Sequence, residues 1–215
     1  DWDAIDSYDI QPLDKLFERE PDRLSAMTLG LGGIYFDWSK THFDRELLER
    51  FVAVAESKQF AAARGALFSG AIVNPTEARP AEHVAERGTG AADAVELATV
   101  RRIRMRALVD AVEAGAFGDV TGVLHIGIGG SVLGPALLVD ALGRRASRLN
   151  VRFLSNIDGE AFDDAVRTLD PATTLIVTAS KTFTTAETLA NMNAALDWLG
   201  AAGVGDPYGR VIAVT

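Results

Sequence analysis

The chain has 215 residues, 48% of them apolar, and a formal net charge of −9. This composition predicts a globular protein of one or two domains with a sizeable core. The negative charge argues against a nucleic-acid partner, because such binding depends mainly on cations that neutralise phosphates. No apolar run of about 18 residues is present to span a membrane, and the first residues do not resemble a secretory signal, so we expect a cytoplasmic protein.

Residues 1–118 are predicted to form a mainly helical segment that packs on the core. The alternation around Ile34, Phe36 and Trp38 indicates one short extended segment. Ser39 or Thr41 is then expected to cap a helix whose apolar face comprises Leu47, Leu48, Phe51 and Val54.

The region from 69 to 118 is predicted to contain a loop followed by a long helix. Pro75 and Pro80 disfavour helix in the stretch 69–90, which we interpret as an ordered loop. A helix is expected over 92–113, closed by Gly115.

Residues 119–215 predict an α/β domain, because short apolar strands alternate with helices. Strands are expected at 122–126, 151–154, 174–178 and 210–215. Such an alternation is typical of right-handed crossovers and a parallel doubly wound sheet covered on both faces. Because a buried parallel strand is usually followed by a crossover, we expect the domain to be truncated at its C-terminal end.

The helix after the first of these strands is predicted to carry an apolar stripe and to end at Gly143. Ser131 can cap this helix and Pro135 fits its first turn. The stripe comprises Leu133, Leu137, Leu138, Ala141 and Leu142.

The strongest candidate site is the loop Ser180-Lys-Thr-Phe-Thr-Thr185, which follows a strand and opens a helix. Parallel sheets bind ligands at this edge, and the free N–H groups at a helix start favour anions. Four hydroxyls and one ammonium group are crowded together here, so a phosphate monoester would satisfy them jointly. The competing interpretation is a helix cap alone, since Thr184 and Glu187 fit a capping box.

A second candidate is the glycine turn Gly127-Ile-Gly-Gly-Ser131, which also lies between a strand and a helix. Glycines allow the backbone to approach a ligand closely. Neither the dinucleotide fingerprint nor the nucleotide-triphosphate loop fits, since Val132 replaces a required glycine and no Gly-Lys-Ser/Thr is present. A tight turn needed only for packing remains the alternative.

The histidines and the arginine-rich helix are weaker candidates. His125 lies in an apolar strand, where a hydrogen-bonded core role is favoured over catalysis. His42 and His83 have no ligand-spaced partners, so no metal site is predicted. A solvated or subunit-contacting face is preferred for the basic group Arg101, Arg102, Arg104 and Arg106.

Taken together, these segments resemble the glucose-6-phosphate isomerase family. The run Ala179 to Thr185 combined with the glycine turn is highly specific. The matching stretches are His125 to Ser131 with Leu133 to Pro135, Phe153 to Gly159, Thr173 and Thr174 through Ala179 to Thr185, Glu187 with Thr188, the group Asn74, Thr76, Glu77, Arg79 and His83, and Phe36 to Lys40.

The resemblance implies a sugar-isomerase (SIS) fold that binds a sugar phosphate without metal or organic cofactor. It assigns Gly130 and Ser131 to the turn that lines the sugar, and Phe183 and Thr184 to the matching loop. The implied phosphate clamp comprises Ser180, Lys181, Thr182 and Thr185. The chain departs from the family pattern at Val132, where many members carry an acidic residue, and at Pro80 to Glu82, for which we carry over no role.

The resemblance also implies that the catalytic groups lie elsewhere, C-terminal to Thr215. Aldose–ketose isomerisation through an enediol requires a base, a cation near the oxyanion and an acid for ring opening. The family supplies these from a Gly-Gly-Arg and a Gln-x-Gly-Val-Glu segment, and residues 1–215 contain neither. We therefore expect this piece to bind glucose 6-phosphate or fructose 6-phosphate without turnover, and the full protein to form a homodimer.

Two alternatives to a stand-alone isomerase remain open from the sequence. The same sheet could serve as a non-catalytic sugar-phosphate-sensing SIS module of a regulatory protein. Fusion to a second sugar-metabolising enzyme is the other possibility.

Overall fold

The computed structural model describes residues 2–143 and 148–215, which form two compact units divided between Arg102 and Ile103. Among the described residues, no helix has both the length and the apolar character that a membrane crossing requires.

The first unit consists of short helices and one antiparallel hairpin. Its elements are α1 (Asp3–Asp6), α2 (Leu13–Arg19), α3 (Arg23–Ala26), β1 (Thr28–Leu31), β2 (Ile34–Asp37), α4 (Arg45–Ser57), α5 (Phe60–Phe68) and a 3-10 helix (Glu82–Arg87). The hairpin pairs Thr28 with Asp37. The sequence predicted only its second strand, because the first, Thr-Leu-Gly-Leu, is too short and too glycine-interrupted to show alternation.

Helix α4 is present where it was predicted, but its cap is a different residue. The Asp44 Oδ1 accepts a hydrogen bond from the Leu47 N–H at 2.8 Å. Ser39 instead donates its N–H to Asp37 Oδ1, and the Thr41 hydroxyl donates to the Trp38 carbonyl. The prediction of Ser39 or Thr41 was therefore wrong, since Asp44 stands directly before the first helical residue and caps equally well. Leu48, which lies on the predicted apolar face, is 45% exposed.

The stretch 69–90 contains more regular structure than the predicted loop. Asn74 and Arg79 form an isolated antiparallel bridge. The 3-10 helix Glu82–Arg87 begins two residues after Pro80 and ends at Gly88, whose φ of 78° is left-handed. Proline excluded helix only up to its own position, and the chain became helical after it.

The interior of the first unit contains a buried arginine. Arg23 is 1% exposed, and its guanidinium donates to the Ser39 carbonyl at 2.7 Å and to the Thr41 carbonyl at 2.5 Å. Its remaining terminal nitrogen forms an ion pair with Glu20 at 2.7 Å. The other Glu20 oxygen accepts the Arg45 N–H at the start of α4. One cation therefore ties α3 to the turn after β2 and to α4.

The second unit is an α/β layer structure. Its elements are the end of α6 (Ala92–Glu113), which begins in the first unit, then β3 (Gly122–Ile126), α7 (Gly130–Leu138), a π-helical turn (Val139–Gly143), β4 (Asn150–Leu154), α8 (Gly159–Val166), a 3-10 turn (Pro171–Thr173), β5 (Thr174–Ala179), α9 (Ala186–Ala201), a 3-10 turn (Tyr208–Arg210) and β6 (Val211–Val214). The strand order is β4-β3-β5-β6, and every neighbouring pair is parallel. The predicted α/β class with a parallel sheet is confirmed.

One face of this sheet forms the main core with α8 and α9. Leu124, Ile126 and Ile176 are fully buried there, and Ala165 of α8 and Leu199 of α9 belong to the same buried cluster. Burial of each such side chain contributes about 1.5–3 kcal/mol. The strands read as near-continuous apolar runs, as both faces of a parallel sheet require.

The apolar stripe of helix α7 is exposed. Leu133, Leu137, Leu138 and Leu142 are 59–74% exposed, and the buried residue of the helix is Val132. Pro135 lies inside the helix rather than in its first turn, and the last turn widens into the π-helical segment. Helical periodicity identified an apolar face of α7, but it does not show which face of the helix is buried. The buried face is the one that contains Val132.

Replacement of Arg23 by alanine should destabilise the protein strongly. The change leaves Glu20 and two carbonyls without their buried partner, so we expect a loss of about 3–5 kcal/mol in the free energy of unfolding. The control is Arg45→Ala, which removes the exposed ion pair with Asp22 and should cost about 1 kcal/mol or less. Urea unfolding measures both, and equal losses would contradict the role of Arg23.

Candidate functional site

The carboxyl edge of the sheet brings the two sequence candidates together. β3 pairs with β5, and Ile126 stands opposite Thr178. The glycine turn follows β3 and the loop 180–185 follows β5, so the two begin on neighbouring strands about 5 Å apart. After β3 the chain crosses to β4 on one side of this pair, and after β5 it crosses to β6 on the other side. Such a switch point is where open parallel sheets form ligand crevices.

The loop 180–185 has a fixed backbone shape. Ser180 is 6% exposed, and its hydroxyl oxygen accepts the Phe183 N–H at 3.1 Å. Phe183 has a φ of 52°, in the left-handed region that non-glycine residues enter at a cost of about 1–2 kcal/mol. The Ser180 hydroxyl still has its own proton to donate. This serine therefore supports the loop and keeps a donor at the same time.

The helix cap proposed as an alternative to a ligand site is absent. Helix α9 begins after Thr185, whose side chain makes no capping hydrogen bond. The Thr184 hydroxyl lies 2.6 Å from that of Thr182, so the two bond to each other across Phe183. The capping-box expectation was wrong, because the turn at Phe183 directs Thr184 to Thr182.

The end of β6 anchors the same loop. The Ser180 N–H donates to the Val214 carbonyl at 3.0 Å, and the Thr215 hydroxyl donates to the Lys181 carbonyl at 2.9 Å. Sequence reasoning missed Thr215 as a supporting residue. Its position at the end of the strand that neighbours β5 is the signal that could have identified it.

Several donors around this loop have no partner in the described part of the chain. Lys181 is exposed, and no carboxylate within 2–143 or 148–215 lies within ion-pair distance of it. Across those same residues, nothing accepts a hydrogen bond from the first-turn amides of α9, Ala186 to Thr188. Unpaired amides at a helix start, beside an ammonium group, favour an anion.

The glycine turn after β3 depends on two glycines for different reasons. Gly129 has φ 55° and ψ −123°, a conformation that side-chain-bearing residues rarely adopt. A Cβ on Gly127 would lie 2.7 Å from the Ser131 carbonyl oxygen. Ser131 does not cap α7, whose capping position is Gly129. None of the described residues accepts a hydrogen bond from the Gly129 or Gly130 amide, so both can serve a ligand.

His125 occupies the core role that its position in an apolar strand favoured. It is 8% exposed, and its Nε2 lies 2.7 Å from the Ser131 carbonyl oxygen. Its ring lies against that of Phe153, its partner in the β3–β4 register, with centroids 5.4 Å apart.

The loop after β4 borders the same edge of the sheet. Asn191 of α9 is 4% exposed, and its side-chain amide donates to the Asn156 carbonyl at 3.0 Å. Asp158 caps α8 by accepting the Ala161 N–H. The loops after β4 and β5 are thereby connected through α9, a link that no local pattern predicts.

A groove elsewhere in the second unit has a different lining. It lies between the end of α6 and the opposite face of the sheet. Its lining is mostly apolar and includes Leu108, Val112, Leu175, Val177 and Ile212. Thr121 and Arg148 also line it, but the unpaired helix-start amides and Lys181 lie at the carboxyl edge of the sheet.

Comparison with known proteins identifies the chain's relatives. Residues 37–215 match the family model described as "Phosphoglucose isomerase". The chain is 53% identical over 214 residues to the glucose-6-phosphate isomerase of Rhizorhabdus wittichii, and 46% identical over 214 residues to that of Zymomonas mobilis. All of this chain is covered in both cases, but only 43% and 42% of the relatives. The chain thus spans less than half the length of these curated relatives.

A solved structure with the same fold is the crystal structure of a glucose-6-phosphate isomerase from Chlamydia trachomatis. The TM-score is 0.76 at 27% sequence identity, over 89% of this chain and 39% of that one. The family match and the high-identity relatives agree with this structural likeness. This chain belongs to the phosphoglucose isomerase family.

Proposed function

We propose that the protein to which this chain belongs interconverts glucose 6-phosphate and fructose 6-phosphate, and that residues 180–185 bind the phosphate of the substrate. One observation carries the proposal. Donors of three kinds lie beside the glycine turn: the Lys181 ammonium, loop hydroxyls such as that of Ser180, which keeps a proton to donate, and the unpaired first-turn amides of α9. The names of the curated relatives support the substrate.

The donors of this loop match a phosphate in number and in charge. Charge-assisted hydrogen bonds are shorter and roughly twice as strong as neutral ones, so Lys181 is expected to contribute most per contact. Ser180, Thr182 and Thr185 supply hydroxyls, while Phe183 and Thr184 hold the turn that presents them. A locally positive loop is necessary because the chain as a whole carries a charge of −9 and repels anions.

The glycine turn is proposed to contact the sugar. Gly130 and Ser131 lie at the start of α7, in the turn that follows β3, and β3 pairs with β5, the strand that the loop 180–185 follows. With the phosphate held by one loop, the sugar carbons can extend along the edge toward the other. Fixing the substrate at two points places its C1 and C2 atoms for reaction, which lowers the entropic part of the barrier.

The reaction itself is proposed to use groups outside residues 1–215. In the aldose-to-ketose direction, a base removes the proton from C2 and returns one to C1, while O1 gains and O2 loses a hydroxyl proton through an enediol. The residues described here would bind and orient the substrate during these transfers. We also propose that the full protein is a cytoplasmic homodimer, which sedimentation of the full-length protein would test.

Replacement of Lys181 by alanine in the full-length protein should lower kcat/KM about ten- to hundredfold. This range corresponds to about 1.5–3 kcal/mol for one charge-assisted contact. The control is Arg167→Ala, which removes an equal charge from an exposed pair with Asp164 on α8 and should change kcat/KM by less than about twofold. A coupled isomerase assay measures both variants, and an unchanged KM for Lys181→Ala would remove this residue from the phosphate site.

Replacement of Gly129 by alanine should weaken substrate binding and stability together. Its backbone conformation is unfavourable for alanine by about 1–3 kcal/mol, so the turn would rearrange. The matched control is Gly134→Ala in the same motif, where α7 is helical and nothing lies within 4 Å of the new Cβ. That change should be neutral or stabilise the protein by up to about 1 kcal/mol. Melting temperature and KM provide the readouts, and similar effects of the two changes would contradict the turn's role.

A direct test of the site is a crystal of the full-length protein soaked with glucose 6-phosphate. We expect phosphate density against Ser180, Lys181 and the start of α9, because the unpaired donors converge there. Density at another place, with this loop empty, would overturn the assignment of the phosphate site.

A further inference from the structure

Helix α7 contains a gap in its hydrogen-bond ladder at the edge of the candidate site. Pro135 lies inside the helix, and a proline has no N–H to donate. In an α-helix the N–H of residue 135 would bond to the carbonyl of residue 131. The Ser131 carbonyl thus loses its usual partner, and it belongs to the turn that faces the proposed ligand.

His125 fills this gap from the neighbouring strand. Its Nε2 lies 2.7 Å from the Ser131 oxygen. Because a carbonyl oxygen only accepts hydrogen bonds, Nε2 must carry a proton and act as the donor. The ring is 8% exposed and lies against Phe153, so burial and packing fix its orientation.

The backbone at Gly127 also constrains the position of the Ser131 carbonyl. A Cβ on Gly127 would come within 2.7 Å of this oxygen. The oxygen therefore lies close to both the backbone of residue 127 and the His125 ring nitrogen. Gly129 and Gly130 lie between residues 125 and 131 in the chain. The hydrogen bond from His125 to Ser131 therefore holds both ends of the turn.

We propose that His125 is a positioning residue: its Nε2–H replaces the N–H that Pro135 lacks and holds the Ser131 carbonyl, so that the Gly129–Gly130 amides keep a shape ready for the sugar. This inference rests on the proposed function of the turn. His125 does not touch the substrate, and it acts through the backbone of Ser131. The geometry predicts that any donor supplied to the Ser131 oxygen can replace the histidine.

The kinetic test is a set of variants in the full-length protein that differ in their donor to the Ser131 oxygen. His125→Leu has no donor, whereas His125→Gln retains a side-chain N–H of similar reach. Pro135→Ala supplies the missing backbone N–H. We expect His125→Leu to raise KM for fructose 6-phosphate about tenfold, because a buried acceptor is left unsatisfied. His125→Gln should stay within about threefold of wild type.

The double variant separates positioning from general packing. His125→Leu combined with Pro135→Ala should recover most of the lost affinity, because the helix then bonds the Ser131 carbonyl itself. Pro135→Ala alone should leave KM close to that of the wild type. Equal losses in the Leu and Gln variants, or a loss that Pro135→Ala does not recover, would overturn the inference.

An NMR measurement without substrate tests whether the His125 Nε2 donates this hydrogen bond. Long-range ¹H–¹⁵N NMR spectra of the full-length protein should show the His125 ring protonated at Nε2, with the signal assigned by its absence in His125→Gln. An unprotonated Nε2 would overturn the inference whatever the kinetics show. Absence of isomerase activity in the wild type, with the Nε2–H signal present, would reject the proposed function and leave the contact between His125 and Ser131 established.

Discussion

The arrangement of the candidate site depends on the parallel pairing of β3 with β5. Their register sets Ile126 opposite Thr178, so that two loops separated by about fifty residues in sequence leave the sheet side by side. The outer strands then diverge, β4 on one side and β6 on the other. A register slip of one residue would also turn Leu124, Ile126 and Ile176 out of the core. Core burial and site geometry are therefore fixed by the same interaction.

Each of the two loops at this edge contains backbone that is locally unfavourable. Phe183 is left-handed and Gly129 adopts a conformation restricted almost to glycine. Contacts from the surrounding structure maintain these shapes: Ser180 binds the Phe183 N–H, and Val214 and Thr215 bind the loop from β6. Conformations of this kind persist only where the surroundings over-determine them, and they are concentrated at functional sites.

Interior polar groups organise both units. In the first unit Arg23 bonds to two carbonyls and to Glu20, and in the second unit His125 bonds to Ser131. Each side chain satisfies backbone groups that regular secondary structure leaves unpaired. A buried hydrogen bond of this kind adds little net stability but costs much when it is broken, so it specifies one arrangement of the chain.

The sequence by itself determined the element types in the second half, the parallel α/β class, and the two loops that carry donors. It could do so because apolar runs, glycines and clustered hydroxyls act locally, through backbone sterics and short-range burial. Only the tertiary structure decided that Asp44 caps α4, that Thr185 caps nothing, and that the leucines of α7 are exposed. It also decided that Thr215 supports Lys181 and that His125 replaces the N–H missing at Pro135. Which of several local candidates caps a helix depends on where that helix begins. The exposed face of α7 and the bond from Thr215 depend on contacts between segments distant in sequence, which local periodicity does not reveal.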